Sequence, residues 1–420
     1  MSIVGIDARL RSGQPGGVEQ FIVGLAYGLS RLTDGQERFV FHCLPGESTW
    51  LRPYVSGPGE IVSASLVRRG RQLLTGSLPR RAAERFPSLR SLRRRLHSLG
   101  LGSGSRLSES DGTLEAAGAR MIHFPTQAGY ATRLPSIYQP WDLQHLHHPS
   151  FFDPATVASR ELRYRALCDR ATLVVVPSTW GKEDLVSRYD IPRDKVAVVP
   201  VPAPISAYAD LQPDEAEVFS QRLVLPAEFL LYPAQTWPHK NHIRLLEAIA
   251  AVRAAKGIEI HLVCTGSQNE HFSAIRRVSK SLDLDRQVRF MGFVSTSEIR
   301  VLYRKARGLV FPSLFEGWGL PLVEAMGQGL PVACARVTSI PDLVGDAAVM
   351  FDPEDVRDIA QAIERLWTDA HLRRQLAVRG LSRVEGLDWD NAAHTYRALY
   401  RLVADVQLDD SEKPLIEAAF

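Results

Sequence analysis

Apolar residues along this 420-residue chain come in two rhythms that alternate from one end to the other. Short apolar-rich stretches occupy 3–7, 39–44, 60–66, 119–125, 135–140, 172–176 and 196–199, with turn-forming or polar residues between them. Runs this short predict strands. Elsewhere apolar residues return every three or four positions. Phe21, Leu25, Leu29 and Leu32 share one helical face, 155–171 predicts a second helix, and Ser178 or Thr179 caps a third that includes Leu185.

Pro200-Val201-Pro202-Ala203-Pro204 stops the alternation, because proline removes amide donors and suits neither a helix interior nor a central strand. It marks a domain boundary. The same rhythm then resumes, with strands expected at 229–232, 260–265, 288–290, 308–311 and 331–335. Helices are expected at 243–252, 271–282, from Leu372 onward and at 390–402. Ser295-Thr296-Ser297-Glu298 is a capping box that starts one more. Asp352-Pro353-Glu354-Asp355 reads as cap, first-turn proline and acidic first turn of a helix toward Trp367. Residues 405–420 read as a polar, frayed tail. The repeated alternation predicts an α/β protein of two Rossmann-like doubly wound domains facing a cleft, 1–202 and 203–388, followed by a terminal helix and tail over 389–420.

Composition adds little until charge is mapped. Hydrophobic residues make up 45% and charged residues 23%, ordinary values for a globular protein. No apolar run reaches about 18 residues, and the first residues lack the basic and apolar stretches of a signal peptide. Cys43, Cys168, Cys264 and Cys334 are scattered without metal spacing, so they read as reduced, buried small hydrophobes of a cytoplasmic protein. Ten arginines against one acid between 66 and 97 give that stretch a net +9, so the remainder of a chain of net +3 carries −6. Leucines interleave with the arginines across 68–95, within an insertion of about 66–118. Two readings stand open: an amphipathic helix on an anionic membrane surface, and a solvated insertion. Nucleic acid ranks last, since no stacking aromatics accompany the arginines.

Two strand ends in the second half carry the candidate chemistry. After the run 308–311 come Glu316, the loop Gly317-Trp318-Gly319-Leu320, Pro321 and Glu324, with Pro321 suited to the first turn of a helix and Glu324 expected in that same turn. This puts two carboxylates, eight positions apart, beside a loop of backbone N–H groups. Carboxylates accept from hydroxyls, and such N–H groups favour phosphate. After the run 229–232, Lys240 enters a helix where its charge and that helix's N–H groups can meet an anion. In the first half, Gly16 and Gly17 lie between the first strand and its helix, where doubly wound domains approach ligands; Glu19 follows.

The Glu316–Glu324 pair within Phe-Glu-Gly-Trp-Gly-Leu-Pro and Glu-Ala-Met resembles the Glu-x7-Glu signature of the retaining glycosyltransferases of family 4, which have the GT-B fold. The resemblance covers nearly the whole chain except about 68–118. It implies that Glu316 and the amides of Trp318, Gly319 and Leu320 hold the donor sugar, that Glu324 holds the ribose diol, and that Gly317, Gly17 and Lys240 face the diphosphate. Glu316 and Lys240 are the implied catalytic pair. Gly16, Asp142 and His145 fall on the acceptor side, over which the solvated-insertion reading of the arginine-rich stretch would place it. The last helix is implied to cross back onto the first domain. Two positions depart from the pattern. Gln235 stands where the family has an arginine, losing a charge-assisted contact worth roughly 1.5–3 kcal/mol. Trp141 stands where the family has a histidine facing the sugar, and His145 or His147 is a candidate substitute.

The wording Pro-Ala-Gln-x-Trp-Pro-His-Lys-Asn-His is most similar to bacterial surface-polysaccharide enzymes, often mannosyltransferases. The implied activity is metal-independent transfer of a hexose, mannose from GDP-mannose, with retained configuration, to a hydroxyl of a glycan or lipid-linked glycan. No cofactor beyond the nucleotide sugar is expected, and no metal. His145, His147 and His148 lie in a proline-flanked loop, and Asp283/Asp285 and Asp388/Asp390 fall at helix edges where acids serve as turn or cap residues. A UDP- or dTDP-sugar donor, a non-catalytic sugar-nucleotide-binding subunit and a GT-B phosphorylase are the alternatives, the last disfavoured by the chain's length. The expected location is cytoplasmic, with peripheral attachment to the inner face of the membrane as the lipid-surface reading of 68–95.

Overall fold

The computed structural model describes residues 2–11, 16–63, 107–208 and 225–420. The arginine-rich stretch 68–95 falls outside the described residues. The chain divides into two compact units, one made of Met1–Val176, Leu185–Val198 and Ala393–Phe420, the other of Pro177–Asp184 and Val199–Ala392.

The first unit is built on seven parallel strands: β1 (Ile3–Asp7), β2 (Arg38–Cys43), β3 (Gly59–Ser63), β4 (Met121–Phe124), β5 (Ser136–Tyr138), β6 (Leu173–Val176) and β7 (Val196–Val198), in the order β3-β2-β1-β4-β5-β6-β7. Helix α1 (Gly17–Ser30) follows β1 and buries Phe21, Leu25 and Leu29 completely, the face its periodicity marks. Helix α2 (Pro154–Arg170) is capped by Asp153, whose carboxylate accepts from Thr156 N at 2.9 Å. Helix α3 (Thr179–Tyr189) starts in the second unit and ends in the first, with Ser178 Oγ accepting from Gly181 N at 3.0 Å.

In the second unit six parallel strands, β8 (Leu230–Pro233), β9 (Leu262–Thr265), β10 (Val288–Phe290), β11 (Gly308–Phe311), β12 (Val332–Ala335) and β13 (Ala348–Phe351), take the order β10-β9-β8-β11-β12-β13. Edge strand β13 and the short helix Ile340–Val344 were not anticipated from sequence; the run Ala348-Val349-Met350-Phe351 is only four residues long and abuts the turn assigned to the next helix. Helices α4 (His242–Lys256), α5 (Phe272–Ser281), α6 (Thr296–Lys305), α7 (Leu320–Gly327), α8 (Val356–Thr368) and α9 (Ala370–Arg383) link or flank these strands. The capping box of α6 forms in full. The cap of α8 is Asp355 and not Asp352, because Asp352 closes a preceding turn by accepting from Glu354 N at 2.9 Å. Two doubly wound parallel sheets with flanking helices make this an α/β architecture of two Rossmann-like units.

Helix α10 (Trp389–Val403) has its first four residues in the second unit and the rest in the first. There Tyr396 and Tyr400 are buried, donating to Gln139 Oε1 at 3.2 Å and pairing with His123 Nδ1 at 2.9 Å. The expectation of a frayed tail over 405–420 is overturned. Helix α11 (Lys413–Ala419) forms, and Glu412, 1% exposed, meets Arg401 at 2.7 Å and Arg397 at 3.3 Å. A buried carboxylate between two guanidiniums gives this polar segment a fixed place that its low hydrophobicity did not suggest. Among the described residues, no helix is long and apolar enough to cross a membrane.

Candidate active site

In the second unit the chain runs outward from β8 to β9 and β10, then returns to β11 and proceeds the other way. The reversal falls between β8 and β11, where doubly wound sheets bind ligands beyond the carboxyl ends of the strands. Both loops singled out in the sequence leave from these two ends, the Pro233–His242 loop from β8 and the Phe311–Leu320 loop from β11. They meet. Lys240 Nζ lies 2.5 Å from Glu316 Oε1, with the side chains 18% and 12% exposed.

The β8 loop is fastened at several points. Its 3-10 turn Pro238–Lys240 ends on Asn241, which holds a left-handed φ of 59° and sends its amide N–H groups to Pro312 O at 3.0 Å and Pro353 O at 2.8 Å. Asparagine tolerates this conformation better than most residues. Tyr232 donates its hydroxyl to Lys240 O, and Leu314 N donates to His239 O at 2.7 Å. Gly266, after β9, has φ of 113° and passes so close that a Cβ would sit 2.4 Å from Ala234 O. The Oε1 of Gln235 accepts from the indole N–H of Trp237 at 2.6 Å.

The β11 loop is fixed through its carbonyls. Glu316 O accepts from Thr338 Oγ1 at 2.7 Å and Ser339 Oγ at 3.0 Å, Gly317 O from Ser178 Oγ at 3.3 Å, and Trp318 O from Ser339 at 3.5 Å. In a planar trans peptide the N–H points opposite to its carbonyl. The N–H groups of Gly317, Trp318 and Gly319 are therefore turned away from these hydroxyls. The Trp318 indole N–H donates to Val201 O at 2.9 Å, which anchors the loop from behind. Gly319 caps α7 with φ of 102°, and Leu320 and Pro321 open that helix. Thr338 holds a left-handed φ of 48°, unusual for a β-branched residue, and receives Glu316 N at 3.2 Å in return. Strain of this kind gathers where a loop must hold one shape.

Glu324 does not lie in the first turn of α7. The helix starts at Leu320, so Glu324 enters the second turn, where Tyr303 of α6 donates its hydroxyl to Oε2 at 2.7 Å. Burial pushes this carboxyl up to about 7, against the pull of the tyrosine hydroxyl. Tyr303, Asn241, Thr338 and Ser339 were not singled out from the sequence, and Ser178 only as a helix cap, because each reaches its partner across 21 to 139 positions of chain. The left-handed Asn241 was the one accessible signal, through its Lys-Asn turn into a helix.

In the first unit the sheet order reverses between β1 and β4. Gly16 precedes α1 in an extended conformation, with nothing within 4 Å of where a Cβ would stand, so neither backbone nor packing requires glycine there. Gly17 is the exposed first residue of α1. Glu19 is half-buried, and burial raises its pKa. Trp141 is turned inward at φ of 73°, its indole N–H donating to Pro125 O at 2.9 Å and its ring edge-on to Phe21. Asp142 caps the next turn, accepting from Gln144 N at 3.0 Å. His145 is buried against Tyr164 and 3.4 Å from Glu161, while His147 lies 3.3 Å from Arg188. Burial lowers the His145 pKa. Among the described residues no three His, Cys, Asp or Glu side chains are grouped to hold a metal. Asp388 caps α10 through Asn391 N at 2.8 Å, and Asp285 pairs with Arg276.

Residues 214–383 match the family model described as glycosyl transferases group 1. The O-antigen chain mannosyltransferase B of Escherichia coli is 28% identical over 256 residues, 61% of this chain and 67% of that one. The serotype-specific mannosyltransferase WbdA of Escherichia coli is 31% identical over 229 residues, 54% of this chain and only 28% of its own length. Among solved structures, HepE of Anabaena in complex with UDP and glucose superposes with a TM-score of 0.68 at 17% identity, over 95% of this chain and 99% of that one. WaaG, a glycosyltransferase involved in lipopolysaccharide biosynthesis, gives 0.62 at 15% identity over 95% and 99%. Likeness at such identities speaks to the fold.

Proposed function

We propose, from the premise that residues 214–383 of this chain match the glycosyl transferases of group 1, that the protein transfers mannose from GDP-mannose to a hydroxyl of a glycan or lipid-linked glycan in surface-polysaccharide biosynthesis. The transfer retains the anomeric configuration and uses no metal. One observation carries this reading: Lys240 and Glu316 converge from the two strands at the sheet reversal, beside a loop whose N–H groups are turned away from the hydroxyls that hold its carbonyls. The two mannosyltransferase relatives support the choice of sugar.

In the proposed chemistry Glu316 accepts from the sugar hydroxyls and Glu324 from the ribose diol, with Tyr303 fixing Oε2. Lys240, the N–H of Gly317 and the amide of Gln235 face the diphosphate, while the N–H groups of Trp318, Gly319 and Leu320 join Glu316 on the sugar. As the bond from C1 to the phosphate oxygen breaks, negative charge grows on the distal phosphate. Oriented N–H groups and an ammonium stabilise it without reorganising. The acceptor hydroxyl attacks from the same face and its proton passes to the departing phosphate oxygen. Gly16 and Asp142 are assigned to the acceptor side. His145, with its ring against Tyr164 and Glu161, acts there through its neighbours. The reaction is assigned to the cytoplasmic face of the membrane, a reading supported by the composition of 68–95.

Glu316→Ala tests the activity. Transfer should fall about a hundredfold or more, with the melting temperature kept. Unchanged transfer would favour a second reading, a sugar-nucleotide-binding subunit without catalysis, which Trp141 and Gln235 support. HepE's complex with UDP and glucose supports a uridine donor as the alternative. A melting-temperature panel of GDP-mannose, UDP-glucose and dTDP-glucose separates the donors, because a ligand specific for the folded state raises it.

A further inference from the structure

Lys240 is paired with Glu316 at 2.5 Å, so a phosphate that takes Lys240 as its counter-ion must compete with that carboxylate. Neither residue can step aside by moving its backbone. Glu316 is held at N and O by Thr338 and at O by Ser339, and Lys240 is held at O by Tyr232. Only the two side chains can rearrange. Gln235 brings no charge to share the load.

We propose that Glu316 discriminates between a nucleotide sugar and the bare nucleoside diphosphate, by holding the Lys240 ammonium until sugar hydroxyls replace it as the carboxylate's partners. The proposal rests on reading this loop pair as a nucleotide-sugar site. A bare diphosphate meets two poor alternatives. If Lys240 stays with Glu316, the phosphate loses its strongest partner. If Lys240 moves, a partly buried carboxylate is left without a cation and beside a like charge. A nucleotide sugar meets neither, since its hydroxyls donate to Glu316 while Lys240 turns to the phosphate, and every charged group keeps a partner. The site thus favours substrate over spent nucleotide with one carboxylate, and the product dissociates the more readily.

Isothermal titration of the full chain with GDP, GDP-mannose, UDP and UDP-glucose tests this against E316Q, which keeps the side chain's size and hydrogen bonding but not its charge. The bare diphosphate of the preferred base should tighten on the order of tenfold, while the nucleotide sugar is unchanged or weaker. The gain should shrink as salt rises. E316A carries the same expectation should E316Q melt early. An unchanged or weaker bare diphosphate in a folded variant overturns the discriminator alone. If the wild-type chain binds none of the four compounds, the nucleotide-sugar reading falls and this inference with it.

Discussion

Glu324 and Glu316 are both carboxylates in one short stretch, yet their surroundings set them apart. Glu316 faces an ammonium, whereas Glu324 faces a tyrosine hydroxyl and its carboxyl is pushed up to about 7. A carboxyl raised in the folded state contributes stability that is present below its unfolded value, near 4.5, and is lost as pH rises through about 7. Glu324→Gln should therefore lose that dependence, and its melting temperature should gain on the wild type between pH 5 and 8. Under the proposed ribose contact, donor affinity should run the other way, rising in the wild type as Glu324 ionises through about 7 and falling in the variant at all pH. Both residues were legible in the sequence because their spacing is local. Their difference was not, since Tyr303 approaches from another helix and Lys240 from another strand.

At the scale of elements, loop shape depends on a few backbone positions. Gly319 sits at φ of 102°, and a Cβ there would stand 3.0 Å from Leu322 Cδ1. Gly319→Ala should cost about 1–2 kcal/mol, read as a lower melting temperature, and should weaken donor binding several-fold by turning the N–H groups of the loop. Gly16→Ala makes the contrast: with an extended backbone and open space around it, stability should not change, so any lost activity would report on ligand approach. Capping chemistry made α6 readable, because Ser295 and Glu298 meet within one turn. The same chemistry misled at α8, where two aspartates three positions apart both suit a cap and Asp352 is taken by a turn. Strand β13 escaped notice because four apolar residues beside a turn carry little periodicity.

Across the whole molecule, the parallel strand–helix alternation was the plainest message of the sequence, and the tail was the plainest error. Arg397 and Arg401, 4% and 15% exposed, share Glu412, while Arg397 also pairs with Asp34 at 2.5 Å and Arg401 with Glu37 at 2.8 Å. Ending the chain at residue 404 should strip that shared carboxylate from two largely buried guanidiniums. The expected cost is about 3–5 kcal/mol, seen as a lower midpoint in urea, with the Lys240–Glu316 pair untouched in its own unit. The tail's polarity hid this, because fixed charge pairs stand in for apolar burial. The polypeptide changes unit after residues 176, 184, 198 and 392, and two of those changes fall inside helices α3 and α10. No single cut in the gene would therefore yield two self-sufficient halves. A fragment ending at 198 would carry an orphaned piece of the other half and lack its own final helices, so each half draws on chain from both sides of that cut.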